Sequence, residues 1–348
     1  MTTFGDQLFH LGGTPVNGGG GGGIPSTVRR AYFVDGTAGL DGNTGRSWGN
    51  AFKTIQRACT MANSAEEALY DTDIYIGRGL YEETVELTRV GSGLGSGVML
   101  WASGGQTAAG IGMIRLIANE NVFLHNGTSG TAPTLYIGRP NVEVHNFGTI
   151  KLTNTTGIAG GEWSSPEGYG GTIAHGMPAI FIERNYNAST YLDGAANKVK
   201  VVNCRVNGNA ANQGCILVMG SSQVFVLDCI IEYGHEYGIA MCGSSVGSTA
   251  ENLIKGCIFN QNTGTDIHHG SLVTSWIMDC LFANPNATAH LSKHGSEANA
   301  VYCTMSGCSI PSATALTKVI SAGNSTFACS HMYTGHATNF IGDSDLAS

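Results

Sequence analysis

Charge is scarce in this 348-residue chain, since only 12% of the residues are Asp, Glu, Lys or Arg and the net charge is −8. An acidic chain without a basic patch is not typical of a nucleic-acid-binding protein, and an anionic membrane surface would repel it. Long apolar runs are also missing, because no stretch approaches the roughly 18 apolar residues of a membrane span. We therefore expect neither nucleic acid nor membrane insertion among its interactions.

Basic residues are missing from the start of the chain, and proline is rare throughout it. The opening MTTFGDQLFHLGG has no lysine or arginine and no long apolar segment, so it lacks the pattern of a secretory signal, and we expect synthesis and assembly in a host cytoplasm. Proline is rare (8 residues), whereas glycine is abundant (51 residues). Low charge with much Gly, Asn, Ser and Thr favours short strands and turns over helices.

Six of the ten cysteines recur at a nearly constant spacing, with intervals of 25, 28, 23, 28 and 21 residues. They are Cys204, Cys229, Cys257, Cys280, Cys308 and Cys329. The first four lie in VVNCRVN, VLDCIIE, IKGCIFN and IMDCLFA, which align with one another. A repeat of about 25 residues is too short for strand–helix–strand units and predicts a β-solenoid, an all-β fold whose stacked coils enclose a continuous core.

The residues around each cysteine predict its orientation. At five of the six sites the preceding residue is Asn, Asp or Gly, which tolerate a left-handed backbone and therefore predict a corner. The six are Asn203, Asp228, Gly256, Asp279, Gly307 and Ala328. The second residue after each of the first five cysteines is apolar and shares the cysteine's face of the strand. These inward residues are Val206, Ile231, Phe259, Phe282 and Ile310.

This reading makes the Asp-Cys pairs architectural rather than catalytic. Coils stack about 4.8 Å apart with parallel side chains, whereas a disulfide needs Cβ atoms about 3.8 Å apart, so we expect free thiols in the core. Asp228 and Asp279 are then corner residues. No CxxC pair occurs, so no structural zinc site is predicted, and we expect neither a metal nor a cofactor.

The repeat extends towards the N-terminus and is interrupted by two inserts. VEVHNFGTI (142–150) fits the same frame, with Asn146 at the corner and Phe147 in place of the cysteine. The polar, glycine-rich inserts span 155–176 and 184–198. Loops on a rigid scaffold often carry binding sites, although both inserts also fit simple solvated excursions. Their candidate binding residues are Trp163, Tyr169, Tyr186 and Tyr191.

The N-terminal region reads as an attachment arm. Residues 1–17 place four large apolar side chains on roughly one side of a short helix or an extended segment. They are Phe4, Leu8, Phe9 and Leu11. A tether assigned to 18–30 follows, and its six consecutive glycines have the composition of a flexible linker. A capping unit with the first coil (31–90) and the solenoid proper (91–348) complete the predicted organisation.

The capping unit carries a resemblance to a known family. YFVDGTAGLDGNTGRSWGNAFKTIQRAC predicts a strand, a turn-rich loop and a helix, and DIYIGRGLYEETVEL predicts further strands. From 51 to 70 the apolar residues recur at helical spacing. They are Phe52, Ile55, Ala58, Cys59, Ala62 and Leu69. Residues 32–87 resemble the opening of right-handed parallel β-helix proteins of the pectate-lyase-like superfamily, and this resemblance implies right-handed coils and a helix capping the open end.

The superfamily includes polysaccharide lyases, glycoside hydrolases, phage tailspikes and non-catalytic virion proteins, so the fold does not define the activity. The closely spaced Asp pair of the polygalacturonase-like members is missing, and YGHEYG lacks the second glycine of their Gly-His-Gly. Pectate-lyase-like members combine calcium-binding carboxylates with a basic residue, and Arg205 has no evident carboxylate cluster around it.

One group of polar residues is compatible with a catalytic site. Two carboxylates on adjacent coils would suit glycoside hydrolysis, a His–carboxylate group would suit a metal, and an ordinary polar face explains the pattern equally well. The residues are Glu232, His235 and Glu236 in one coil, and Asp266, His268 and His269 about one coil further on.

These observations favour a phage-type virion protein over an enzyme. The expectation is a β-helix displayed on the particle as a head decoration or small spike, anchored by the arm to other virion proteins. The outward residues Ile230, Ile258 and Leu281 form an apolar stripe, which predicts a subunit interface and, by analogy with phage β-helix proteins, a homotrimer. The alternatives are a tailspike-like polysaccharide-degrading enzyme and an adhesin that binds a cell-surface glycan.

Overall fold

The computed structural model describes most of the region from residue 29 to residue 333. The described residues are 29–64, 67, 70–88, 112–127, 132–153, 177–183, 197–209, 214–242, 249–269, 273–283, 289–293, 302–309 and 327–333. The arm, most of the tether, and the four aromatic residues of the inserts lie outside them. Those predictions therefore remain predictions.

The described residues form 24 strands, one α-helix and one 3-10 turn. The first part contains β1 (Arg29–Val34), the 3-10 turn (Trp48–Asn50), α1 (Ile55–Ala62), β2 (Asp71–Ile76), β3 (Gly79–Glu82), β4 (Val85–Leu87), β5 (Ile114–Ile117), β6 (Val122–His125), β7 (Leu135–Ile137), β8 (Val142–His145), β9 (Thr149–Lys151) and β10 (Pro178–Glu183). The second part contains β11 (Val199–Val202), β12 (Arg205–Asn207), β13 (Gly214–Met219), β14 (Val224–Leu227), β15 (Ile230–Glu232), β16 (Tyr237–Cys242), β17 (Thr249–Lys255), β18 (Ile258–Asn260), β19 (Thr265–His269), β20 (Val273–Met278), β21 (Leu281–Phe282), β22 (Ala289–Lys293), β23 (Tyr302–Ser309) and β24 (Phe327–Tyr333).

These strands build a parallel β-helix with three sheets. From β2 onwards the chain passes through sheet A, sheet C and sheet B in turn, so three consecutive strands make one coil. Sheet A contains β1, β2, β5, β8, β11, β14, β17, β20, β23 and β24; sheet C contains β3, β6, β9, β12, β15, β18 and β21; sheet B contains β4, β7, β10, β13, β16, β19 and β22. Every pairing is parallel, and the in-register stacking predicted from the cysteine spacing is confirmed.

Inside the coils, the predicted inward columns are confirmed. Cys204, Cys229, Cys257, Cys280 and Cys308 are buried, and none of these five thiols forms a disulfide. The apolar residues that follow two positions later are at most 1% exposed at the four sites that are described, namely Val206, Ile231, Phe259 and Phe282. The rings of Phe259 and Phe282 stack with centroids 5.0 Å apart. The repeat therefore encodes a continuous core, as stacking of identical coils requires.

The predicted corners are confirmed in the central coils. Asn203, Asp228, Gly256 and Asp279 have positive φ angles of 50°, 53°, 67° and 53°, as does Asn146 at 61°. Beyond them the corner prediction is wrong, because Gly307 and Ala328 lie within the strands β23 and β24. β23 pairs with both β20 and β21. In the earlier coils, these positions are divided between two strands that are joined by a corner.

The predicted cap is present but shorter than expected. α1 begins after Thr54, whose side chain accepts a hydrogen bond from the Arg57 amide, and it ends at Ala62, with Asn63 as its C-cap, instead of continuing to residue 70. Phe52 precedes the helix and forms a β-bridge with Val34. Four apolar residues of α1 are buried and join the solenoid core: Ile55, Ala58, Cys59 and Ala62. α1 contacts β1, β2 and β4, so it covers the end where the sheets begin.

Two smaller points complete the comparison with the prediction. The tether assigned to 18–30 is two residues too long, because Arg29 and Arg30 already pair with β2. In the described part of the chain, α1 is too short to be a membrane-crossing helix, and no other helix qualifies.

Candidate functional site

Glu232, the first candidate carboxylate, is held by its own coil neighbours. It ends β15 on sheet C, one coil above Asn207, and its side chain is 4% exposed. The guanidinium of Arg205 donates two hydrogen bonds to it, from Nε to Oε1 at 2.7 Å and from Nη2 to Oε2 at 2.8 Å. Asn207 donates a third at 3.3 Å. The hydrogen bond with Glu232 raises the pKa of Arg205, and three donors surround the side chain of Glu232.

The sequence shows no evident carboxylate cluster around Arg205, and the structure brings one carboxylate, that of Glu232, into contact with it. Arg205 pairs in register with Ile230, and Glu232 lies two residues further along β15, so the 27 positions between them are one coil of 25 residues plus two. Because the two residues are far apart in the sequence, their ion pair can be recognised only when each coil is aligned with the next.

Asp266, the second candidate carboxylate, is fully buried at the start of β19. Its Oδ1 accepts a hydrogen bond from Nδ2 of Asn262 at 2.8 Å, and its Oδ2 lies 2.6 Å from Nδ1 of His290 in β22. His290 is 1% exposed, and its ring centroid lies 5.4 Å from that of the core residue Phe282. A carboxylate enclosed in this way organises the core between sheets B and C and does not face solvent.

The remaining candidates occupy the same two coils, and the loop that carries two of them makes backbone contacts with the next coil. His235 and Glu236 connect β15 to β16, and their carbonyl oxygens accept hydrogen bonds from Thr263 Oγ1 at 3.3 Å and from the Thr265 amide at 3.0 Å. The side chain of Glu236 is exposed, while those of His235 and His268 are partly exposed. The predicted proximity of the two coils is therefore correct, but Glu232 and Asp266 each belong to a separate hydrogen-bonded group.

Neither a metal centre nor a reactive thiol emerges from these residues. Among the residues that the structure describes, no group of three or more His, Cys, Asp or Glu side chains could hold a metal ion. Burial raises the pKa of the Cys229 thiol, and hydrogen bonding between neighbouring thiols raises those of Cys257 and Cys280, the latter to about 12. Thiols that remain protonated at neutral pH are poor nucleophiles and poor metal ligands. The Asp-Cys pairs of the repeat are thus structural.

His269, which follows the candidate His268, predicts an acid-sensitive fold. It is fully buried, its Nε2 lies 2.8 Å from Oγ of Ser275, and burial lowers its pKa from 6.5 to about 4. Because the unfolded chain binds this proton more readily, stability present above pH 6.5 is lost as the pH falls through 4. The loss attributable to His269 should be roughly 3 kcal/mol.

Denaturant unfolding at pH 7 and pH 4.5 measures this effect. His269→Gln, which cannot take up the proton, should lose less stability between the two pH values than the wild type. His268→Gln is the matched control on the partly exposed neighbour and should retain the wild-type pH dependence. Equal pH dependence of His269→Gln and wild type would contradict the assignment.

The outer face of sheet A carries ion pairs in its first half. Arg115 donates to Asp73 at 2.7 Å, and Lys200 donates to Glu143 at 2.7 Å. Burial alone would raise the pKa of Glu143, but the hydrogen bonds from Lys200 and His145 outweigh burial and lower it. These charges occupy successive positions of one outward column and neutralise one another, and only coil-by-coil alignment would have revealed them.

Known proteins share this architecture. The family model described as "Right handed beta helix region" matches residues 172–310, and no curated protein matches the chain. Escherichia coli YbhC superposes with a TM-score of 0.50 at 13% identity, covering 92% of this chain and 83% of its own. Pectin methylesterase PemA from Erwinia chrysanthemi (TM-score 0.47, 12% identity, 91% and 92% covered) and pectate lyase Pel9A (0.41, 10%, 85% and 79%) are more distant.

The chain is therefore an all-β, right-handed parallel β-helix. At these identities the likeness concerns the fold, so the activity has to be argued from the site.

Proposed function

We propose that this chain is a non-catalytic structural β-helix that assembles with copies of itself on the surface of a phage-type virion. The observation that supports the absence of catalysis is the enclosure of both candidate carboxylates. A general acid or base must reach the proton that it transfers, and a carboxylate that already accepts hydrogen bonds from Arg205, or that is fully buried against His290, is not available for that role.

The observation that supports assembly is the apolar stripe. Ile230, Ile258 and Leu281 are paired in register on β15, β18 and β21, and Ile258 is 37% exposed. Aligned apolar side chains on an outer face suit a protein partner better than solvent. The arm and its glycine tether support anchoring to other virion proteins, and the homotrimer is part of the same proposal.

Incubation of the full chain with a panel of acidic and neutral polysaccharides tests the lack of catalysis. We expect neither new reducing ends nor unsaturated products. Glu232→Gln provides the comparison, because it removes the charge while leaving the side chain nearly the same size. Turnover by the wild type that disappears in Glu232→Gln would overturn the proposal and favour the polysaccharide-degrading alternative.

Removal of residues 1–23 tests the anchoring role. Six glycines transmit little order between their ends, and they span roughly 13 Å, so the anchor site should lie close to the capped end. The truncated chain should keep its melting temperature and oligomeric mass but should no longer be recovered on particles. Loss of folding or of the oligomer on truncation would mean that the arm belongs to the fold, and anchoring would be contradicted.

A further inference from the structure

Sheet A carries a second apolar face in the same three coils as the stripe on sheet C. Face C is defined as Ile230, Ile258 and Leu281; face A is defined as Phe225, Leu253 and Trp276. Trp276 is 40% exposed, and Phe225 and Leu253 are partly exposed. The corner residues Asp228, Gly256 and Asp279 separate the two faces, so the faces flank one ridge of the solenoid.

The two faces follow the same chemical order along the solenoid. In register on sheet A lie a cation, three apolar residues and a hydroxyl residue: Lys200, Phe225, Leu253, Trp276 and Thr304. In register on sheet C lie Arg205, Ile230, Ile258, Leu281 and Ser309, which have the same order. Each coil that presents an apolar residue on face A therefore also presents one on face C.

We propose that face A of one copy packs against face C of the next copy, with the solenoid axes parallel and equivalent coils at the same height. Coils rise about 4.8 Å each, so two copies in this orientation bring apolar residues together at all three heights. The cations that border the faces are already neutralised within each copy, Lys200 by Glu143 and Arg205 by Glu232, both at 2.7 Å. Parallel packing therefore leaves no bordering cation without its carboxylate.

The placement of the faces also favours a closed assembly over a pair. Because the faces lie on either side of one ridge, each copy contacts two neighbours through different surfaces. Such heterologous contacts close into a ring when the rotation between neighbours is a fraction of a turn. The inference deepens the self-association in the proposed function and rests on it, whereas it does not depend on the lack of turnover.

Charge-pair substitutions measured by light scattering on the full chain test this packing. Leu253→Lys and Ile258→Asp lie in the same coil, on face A and face C respectively. Each single variant should lower the mass of the assembly by a factor of about two or three, because association would bury an unpaired charge in every contact between copies. The double variant should restore the wild-type mass, since lysine of one copy then meets aspartate of the next.

The matched control combines Phe225→Lys with Leu281→Asp, which lie two coils apart, and it should remain dissociated. Circular dichroism checks that each variant is folded, and Trp276→Lys with Leu281→Asp repeats the same-coil test if the first pair does not fold. If the wild type assembles but both same-coil doubles stay dissociated, this packing is wrong and self-association stands. If the wild type is a single chain at micromolar concentration, both the packing of face A on face C and the self-association are wrong.

Discussion

Replacing Phe259 by alanine should lower the free energy of unfolding by about 3–5 kcal/mol. The phenyl ring is fully buried and stacks on Phe282 of the next coil, with centroids 5.0 Å apart and planes 7° from parallel. Its removal loses apolar burial in one coil and a packing surface for the following one. Because each coil of a solenoid is stabilised by its neighbours, the cavity cannot close without shifting both adjacent coils.

Denaturant-induced unfolding followed by circular dichroism measures this loss. Phe123→Ala is the matched control, because it makes the same chemical change on the same sheet at a side chain that is 45% exposed. That variant should lose less than about 1 kcal/mol. Similar losses in the two variants would show that position 259 does not point into the core.

Replacing His290 by phenylalanine should destabilise the fold by about 1–3 kcal/mol, because it removes one hydrogen-bond partner of a buried polar side chain. Asp266 is completely buried, and without His290 its Oδ2 loses the partner at 2.6 Å, while the hydrogen bond from Asn262 remains. Removing one member of a buried hydrogen-bonded pair costs more than the pair itself contributes, because water cannot replace the lost partner in the core. The added apolar ring beside Phe282 does not compensate for that cost.

The double variant Asp266→Leu with His290→Phe distinguishes pairing from packing. If the hydrogen bond between the two residues is the cause, the double variant should be more stable than His290→Phe alone, since no buried carboxylate is left. Thermal and denaturant unfolding of the three proteins provides the comparison. Losses that simply add in the double variant would show that the two side chains act independently.

Local chemistry was sufficient to predict the solenoid. The Asn or Asp before Cys204, Cys229 and Cys280 indicates a left-handed corner. The apolar residue two positions after each of these cysteines indicates which face of the strand points inward. Both signals are contained within a few residues, so they can be recognised without knowledge of the rest of the chain. The same rule fails at Gly307, where β23 continues through the position, because glycine permits a corner but does not require one.

The site was harder to predict because its contacts join residues one coil apart. In the segment IEYGHEYG, nothing near Glu232 in the sequence indicates a partner for its carboxylate. Arg205 contacts it only because β12 and β15 pair in a particular register. Asp266 likewise gains its partner from β22. Loop lengths vary between coils, so the spacing of 27 residues in one pair and 24 in the other cannot be assigned from a single sequence.

On the outer faces of the β-helix, charged side chains pair with one another between neighbouring coils, whereas apolar side chains of the central coils remain partly exposed. Arg205, Lys200 and Arg115 each neutralise a carboxylate of a neighbouring coil. The outer surface of the three central coils instead presents faces A and C. This division suits a protein that serves as a building block of an assembly.

The mass of the full chain in solution tests that account most directly. Sedimentation velocity or light scattering at micromolar concentration should give about three times the mass of one chain, as expected for a closed ring with one heterologous contact per copy. The mass should be independent of salt, because the contacts are apolar. A mass equal to that of a single chain, with faces A and C left in solvent, would contradict the account.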